Sequence, residues 1–182
     1  MLVITCVPLY FVDAVYADDG SSLFFLSPTY DWYFPADGQA RDAFGSTWAG
    51  WGFALNNTEA FGWSKFGLGD IALRPYVGYL HADEGNNDAE MVPIGIEARW
   101  GMPGNDFFKP YVGLGLSGYG IKFEDLDAGI NTGWRGAYGG RFLLGVDISK
   151  WFNFQAAYSV VSDVEGYDLS GFSLQGKLKI YF

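Results

Sequence analysis

The sequence predicts an all-β fold, an eight-stranded antiparallel up-and-down transmembrane β-barrel. The clearest sign is the C-terminal segment, residues 171–182, where even positions are Phe, Leu, Gly, Leu, Ile and Phe. Its odd positions are Gly, Ser, Gln, Lys, Lys and Tyr. Because successive side chains of a strand point to opposite faces, one face of this segment is apolar and the other carries Lys177 and Lys179. The same alternation recurs along the chain, and the composition agrees with it.

Composition points to short strands rather than helices. The chain has 182 residues, of which 19% are aromatic, 26 are glycine and only 18% are charged. This length suits one domain, and many aromatic residues with frequent glycine are typical of strands joined by turns. Beyond the N-terminal segment, no uninterrupted apolar run of the sequence approaches the roughly 18 residues expected of a membrane-spanning helix.

The N-terminal segment, residues 1–17, differs from the rest of the chain. It contains no Lys or Arg, and residues 15–17 (Val-Tyr-Ala) fit a signal-peptidase site. Because the usual basic start is missing, we interpret this segment as a signal peptide with a truncated start and residues 18–182 as the barrel domain. A disordered or strand-like extension is the alternative. The single cysteine, Cys6, lies here, so no disulfide is predicted for the mature chain.

Eight segments alternate between apolar and polar residues and are separated by turn signals rich in Gly, Asp, Asn and Pro. The predicted strands cover residues 22–34, 47–57, 70–81, 89–101, 107–123, 134–148, 152–162 and 171–182. Pro93 falls inside the fourth strand. Since proline cannot donate a ladder hydrogen bond, it predicts a β-bulge there or a strand that starts later.

The polar faces of these strands identify the predicted interior. The lumen of an eight-stranded barrel is only just wide enough for side chains. Gly and Ser beside charged residues fit this space better than rows of Phe, Trp and Leu, so we expect the apolar face to contact lipid and the charges to pair inside. The predicted lumen charge network consists of Asp31, Arg74, Glu97, Arg99, Arg135, Arg141, Asp147, Lys177 and Lys179.

Aromatic residues on the apolar faces cluster near the strand ends, as expected for the two interfaces of a membrane barrel. The predicted aromatic girdles include Trp32, Trp100, Trp134, Phe152, Phe172 and Phe182.

Connection lengths predict the two sides of the membrane. Two of the three inner turns are short, as is typical of periplasmic turns; these turns are 58–69, 102–106 and 149–151. The outer loops hold eleven acidic residues and a single basic residue, Arg41. These loops are 35–46, 82–88, 124–133 and 163–170.

The Pro-Tyr-Val-Gly segments at 75–78 and 110–113, the signal-like start and the terminal Phe182 resemble small bacterial outer-membrane β-barrels of the OmpA, OmpX and OmpW type. The resemblance covers about residues 20–182. It implies a location in the bacterial outer membrane, contact with its lipid and lipopolysaccharide, and recognition of the C-terminal strand by the barrel-assembly machinery. The chain departs from the usual assembly signal, since Ile180 stands where Tyr is usual.

Few residues are candidates for catalysis. Lipid A deacylases of similar barrel size use a His-Ser-Glu arrangement, and this chain offers Ser159, Ser162 and Glu165. A hydroxyl needs a nearby base to become a nucleophile, yet the only histidine, His81, stands at the outer end of the third strand. No enzyme activity, cofactor or metal site is therefore predicted. The acidic stretch 83–88 has oxygen ligands but lacks EF-hand spacing.

The predicted function is a structural or surface-interaction role for a monomeric barrel with a closed polar core. Three alternatives remain open: a deacylase-like enzyme acting on lipid A, a narrow porin-like pore, and a soluble lipocalin-like binder. The formal net charge of −10 disfavours nucleic acid as a partner.

Overall fold

The computed structural model describes residues 24–57, 71–85, 87–104, 107–125, 129–149 and 151–181. Within them the chain forms ten strands and one short helix. The elements are β1 (Phe24–Pro35), α1 (Gly38–Phe44), β2 (Trp48–Asn57), β3 (Ile71–Glu84), β4 (Asn87–Gly101), β5 (Phe108–Asp125), β6 (Ile130–Asn131), β7 (Arg135–Ile148), β8 (Phe152–Val161), β9 (Gly171–Leu178) and β10 (Ile180–Tyr181). No helix in these ranges is long and apolar enough to cross a membrane.

The strands form one closed antiparallel sheet. Each long strand pairs with the next long strand along the chain. Strand β1 pairs with both β9 and β10, which together form the eighth strand of the barrel. The two-residue strand β6 lies off this path and pairs only with β5. The predicted eight-stranded up-and-down barrel is therefore confirmed.

The register fixes the geometry of the barrel. When paired residues are traced from β1 once around the closed sheet, the path returns to β1 about 10 residues away from its starting point. This shear corresponds to a strand tilt of about 40°. Pro93 keeps this register, because Val77 still pairs with Ile94 and Leu80 with Met91. The bulge or late start predicted at Pro93 is wrong: pairing with β3 lapses locally, and β4 begins early, at Asn87.

Side-chain burial confirms which face is the interior. In β9, Lys177 is 5% exposed, whereas the neighbouring Leu178 is 42% exposed. The same alternation runs through β8, where Asn153, Gln155, Ala157, Ser159 and Val161 are buried and the intervening residues are less so. The barrel is thus polar inside and apolar outside.

Two ends of the barrel are distinguished below. The lower end carries the start of β1 and the end of β10, and the upper end carries α1. Four connections leave the upper end, and they match the predicted outer loops in position but not in structure. Residues 35–46 contain the helix α1, and the stretch 82–88 is mostly paired strand, with Glu84 opposite Asn87.

The third upper connection is also more ordered than predicted. Strand β5 runs on to Asp125 and pairs with β6, so part of 124–133 is sheet. In the fourth, Val164 and Tyr167 form an isolated bridge. The predicted signal peptide 1–17, the turn 58–69 and the terminal Phe182 lie outside the described residues.

Candidate functional site

Glu97, on the inward face of β4, is the centre of the polar lumen. Its Oε2 accepts hydrogen bonds from Arg99 Nε at 3.3 Å and Arg99 Nη2 at 2.9 Å. Its Oε1 lies 3.3 Å from Arg141 Nη1 and accepts a hydrogen bond from Gln155 Nε2 at 3.2 Å. Glu97 is 1% exposed, and these four contacts occupy its lone pairs.

Gln155 of β8 connects this centre to the opposite wall of the barrel. Its Oε1 accepts hydrogen bonds from Arg99 Nη2, from Tyr111 Oη at 3.0 Å and from Lys177 Nζ at 2.9 Å. Its Nε2 also donates to Gln175 Oε1 at 3.2 Å. Gln175 in turn donates to Asp31 Oδ2 at 2.5 Å. The network therefore spans the lumen from β4 to β1.

Aromatic side chains line the guanidinium groups of this network. The Arg99 guanidinium carbon lies 4.4 Å from the centroid of the Tyr111 ring, and that of Arg141 lies 5.0 Å from the Tyr76 ring. Both are cation–π distances. The Tyr76 hydroxyl is hydrogen-bonded to Ser117, so the Tyr76 ring is attached to both β3 and β5.

A second, smaller group closes the lower end. Lys179 Nζ lies 2.6 Å from Asp147 Oδ1, which also accepts a hydrogen bond from Asn153 Nδ2 at 2.8 Å. Asn153 Nδ2 donates to Tyr111 Oη at 2.9 Å, and Tyr111 packs in one cluster with Leu143. The lower group is thus bonded to the central network.

An aromatic plug fills the upper end. Phe44, the last residue of α1, is fully buried and stacks on Phe123 of β5, with ring centroids 4.7 Å apart. Trp48 and Tyr167 make edge-to-face contacts with Phe44 at 6.4 and 5.1 Å. These four side chains define the aromatic plug, and buried Leu80, Met91, Tyr119 and Ile121 pack in the same cluster below it.

Local sequence explains why α1 carries Phe44 into the lumen. Asp37 is the N-cap, and its Oδ2 accepts a hydrogen bond from the Ala40 N–H at 2.9 Å. At the other end Gly45 has φ 86°, a left-handed value that favours glycine. Asn87 Nδ2 donates to the Ala43 carbonyl at 3.1 Å and ties the helix to β4.

Little space remains between the network and the barrel wall. A Cβ placed on Gly115 would lie 2.8 Å from Arg141 Cγ, so glycine makes room for this arginine. Beside Asp31, Glu97 and Lys177 a cavity of about 20 Å³ remains. That volume suits a single water molecule.

Most of the predicted lumen residues come together here, and one does not. Asp31, Arg74, Glu97, Arg99, Arg141, Asp147, Lys177 and Lys179 all face inward among the strands. Arg135 was expected among them, but its side chain is 55% exposed and lies at the upper rim, 3.0 Å from Glu165. The alternation along β7 places Arg135 on the inward side of the strand. It is, however, the first residue of β7 and lies above the enclosed part of the barrel.

The five residues of the predicted aromatic girdles that the structure describes lie on the outward face. Trp32, Trp134, Phe152 and Phe172 are exposed, and Trp100 is partly exposed. Phe172 contacts Phe34 near the upper end, with centroids 6.4 Å apart. Phe152 and Trp100 lie near the lower end, opposite Ile148 and Ile71.

His81 does not meet the predicted serine candidates. It lies on the outward face of β3, where its Nδ1 is 3.1 Å from Asp88 Oδ1. Ser159 is buried in the lumen wall of β8, and β3 and β8 are four strands apart in either direction around the barrel. His81 and Ser159 therefore cannot form a pair.

The predicted lumen charge network leaves out several residues that are bonded within it. Gln155, Tyr111 and Asn153 are uncharged, so a list of charged residues does not contain them. Their inward parity was available as a signal, since Asn153 and Gln155 alternate with Phe152 and Phe154. Phe44 lies in a predicted loop, and a single aromatic residue there does not indicate a plug.

Neither a protein-family model nor a curated protein matches the chain. Among solved structures, Neisserial surface protein A is similar with a TM-score of 0.65 and 14% identity, over 88% of this chain and 98% of that chain. The outer membrane enzyme PagL gives 0.55 and 13%, over 86% and 99%. The outer membrane protein OprG from Pseudomonas aeruginosa gives 0.54 and 13%, over 87% and 96%. The chain therefore has the closed eight-stranded barrel fold of these small outer-membrane proteins.

Proposed function

We propose that the protein is a bacterial outer-membrane β-barrel with a structural or surface-interaction role, and that its lumen is sealed to solutes. The observation that carries this proposal is the filling of the lumen. Buried polar side chains bond across its middle, from Glu97 to Gln155 and Gln175. The aromatic plug lies above them. Such a barrel acts through its outer surface and its exposed ends rather than by passing solutes.

The outward face supports a membrane location. Large apolar side chains on this face are exposed on every long strand; examples are Tyr30, Phe53, Val77, Ile96, Leu116, Phe142, Phe154 and Leu174. So large an apolar surface is unfavourable in water, and a closed sheet satisfies its backbone groups without water. The lipocalin-like alternative requires the opposite arrangement, with an apolar cavity inside.

The pore alternative is tested by conductance. The full chain, refolded into detergent micelles and reconstituted in a planar bilayer, is expected to give no current steps above those of the bare bilayer. Heat-modifiable gel mobility of the same sample serves as the control that folded barrels are present. Stable, reproducible current steps from folded protein would contradict the sealed lumen and support the porin-like reading.

The enzyme alternative lacks a supporting geometry. The one histidine of the chain pairs with Asp88 on the outer surface, whereas Ser159 is buried in the lumen wall of β8. We therefore propose a role without chemistry on lipid A.

The proposed partners follow from location. Membrane lipid and lipopolysaccharide would surround the apolar band, and the C-terminal strand would be read by the barrel-assembly machinery. We propose that the acidic upper end, with Asp83, Glu84, Asp88 and Glu90 on the β3–β4 hairpin, faces the cell exterior. We propose a monomer, because the closed sheet leaves no free strand edge for pairing with a second chain.

A further inference from the structure

The lumen carries more positive than negative charge. Arg74, Arg99, Arg141 and Lys177 are all buried within it, each with an exposure of 7% or less. Glu97 and Asp31 are the carboxylates that face the same part of the described lumen. Lower down, Lys179 and Asp147 balance each other. Burying charge without a counter-charge is strongly unfavourable, so this excess requires compensation.

The acceptor oxygens of Glu97 and Gln155 are already used. Glu97 is saturated by Arg99, Arg141 and Gln155. Gln155 Oε1 has two lone pairs but receives Arg99 and Lys177 as well as Tyr111. Its orientation is fixed because its Nε2 donates to Glu97 and Gln175. Two cations therefore donate to a neutral amide oxygen, although each would be bound more strongly by an anion.

Arg74 shows where the deficit is concentrated. It is 1% exposed, and among the described residues its Nε and Nη2 have no hydrogen-bond partner. These two N–H groups form the parallel fork with which arginine binds anions. Glu97, directly opposite Arg74 across the β3–β4 pair, turns its oxygens to Arg99 and Arg141 instead.

Neighbouring positive charges raise the electrostatic cost of burying Arg74. Arg99 repels the charge of Arg74, and both of them repel the charge of Lys177. Asp31 Oδ1 is a spare acceptor in the described lumen, but Asp31 is held on β1 by Gln175 and interacts most strongly with Arg141. Glu97 and Asp147 attract the charge of Arg74, but among the described residues no carboxylate accepts a hydrogen bond from its Nε or Nη2.

We propose that the folded barrel binds one small monovalent inorganic anion of the halide class, held by the Nε–H and Nη2–H of Arg74 inside the lumen. The ion lowers the repulsion among Arg74, Arg99 and Lys177 and acts as a structural counter-ion. The site does not depend on whether the lumen conducts, since a buried ion bound during folding needs no open path.

The direct test uses the wild-type full chain. It is refolded into detergent micelles in sodium bromide, crystallised, and examined by anomalous scattering at the bromine edge. A bromide peak at hydrogen-bond distance from Arg74 Nε and Nη2 is expected. Water density or a protein side chain at that position, with no bromide peak, would overturn the proposal.

A solution test uses matched variants. At constant ionic strength, the unfolding temperature of wild type is expected to be higher in chloride than in gluconate, which is too large for the packed lumen. Arg74→Gln is expected to lose this difference, whereas Arg135→Gln, at the exposed rim, is expected to keep it. Equal unfolding temperatures of wild type in the two salts would count against the site, as would an unchanged difference in Arg74→Gln.

Discussion

Glu97 holds two arginines from different strands within one buried network. The bond to Arg99 lies along β4, and the bond to Arg141 crosses to β7. Neither arginine has another carboxylate within ion-pair distance among the described residues. The lumen therefore depends on this single negative charge far more than on any ion pair at the rim.

Glu97→Gln is expected to lower the free energy of unfolding by about 3–5 kcal/mol, because it leaves buried cations without their partner. Glu165→Gln is the matched control: it removes the partner of Arg135 at an exposed site and is expected to cost at most about 1 kcal/mol. Urea unfolding in detergent micelles, followed by tryptophan fluorescence and gel mobility, measures both. Equal effects of the two substitutions would contradict the central role of Glu97.

For single residues, the sequence predicts whether a side chain points into or out of the barrel, but not its position along the barrel axis. Alternation correctly assigns Lys177 inward and Leu178 outward, because strand geometry has a period of two residues. The same rule assigns Arg135 inward, yet the position of a residue along the barrel axis depends on tilt and register, which the pattern of one strand does not contain. The partners of each charge, such as Gln155 for Lys177, are likewise set by strands far apart in sequence.

The helix α1 is the element that closes the upper end. It has only seven residues, too few to be stable alone, and the burial of Phe44 and Ala40 holds it in place. Its remaining residues include the exposed Arg41. The element is therefore held mainly by one aromatic anchor.

Phe44→Ala is expected to raise the rate of trypsin cleavage after Arg41 at least about tenfold. Removing a buried Phe ring typically costs about 3–5 kcal/mol, and about 1.4 kcal/mol less stability of the closed helix already means a tenfold larger open population. Mass spectrometry of the fragments from folded protein in micelles identifies the cut. Phe53→Ala, on the outward face of β2, is the control with an unchanged rate. If both variants are cut equally fast, the ring of Phe44 does not anchor the helix.

Two kinds of element escaped prediction for physical reasons. The helix α1 spans barely two turns, so hydrophobic periodicity gives no signal for it, although Asp37 is a typical N-cap residue. The residues around Gly85 are acidic and read as a loop, but pairing continues to Glu84 and Asn87. Cross-strand pairing outweighs the weak strand preference of Asp, Glu and Asn. By contrast, the long alternating strands were predictable because burial of one face imposes their pattern.

At the scale of the whole molecule, the barrel wall separates the lumen from the outer surface. Trp48 and Trp51 of β2 lie on opposite sides of this wall, since the first is fully buried in the aromatic plug and the second is 57% exposed on the outer face. In a bilayer the outward tryptophans contact acyl chains, and Trp48 is shielded from them by the barrel wall.

Refolding into vesicles that contain brominated acyl chains is expected to quench much of the tryptophan emission. Trp48→Phe should raise the quenched fraction, because it removes a shielded emitter, and Trp51→Phe should lower it. Fluorescence in brominated and ordinary vesicles measures the difference. A Trp48 contribution quenched as strongly as that of Trp51 would contradict the assignment of faces.

The β3–β4 hairpin also offers a practical handle. Its tip at Gly85 has φ 67°, and a side chain there would meet no atom within 4 Å. A short epitope tag inserted at this tip should leave the strands of the barrel undisturbed. We expect antibody to bind the tag on intact cells. Labelling of unbroken cells would establish which end of the molecule looks outward, and staining only after permeabilisation would reverse the assigned orientation.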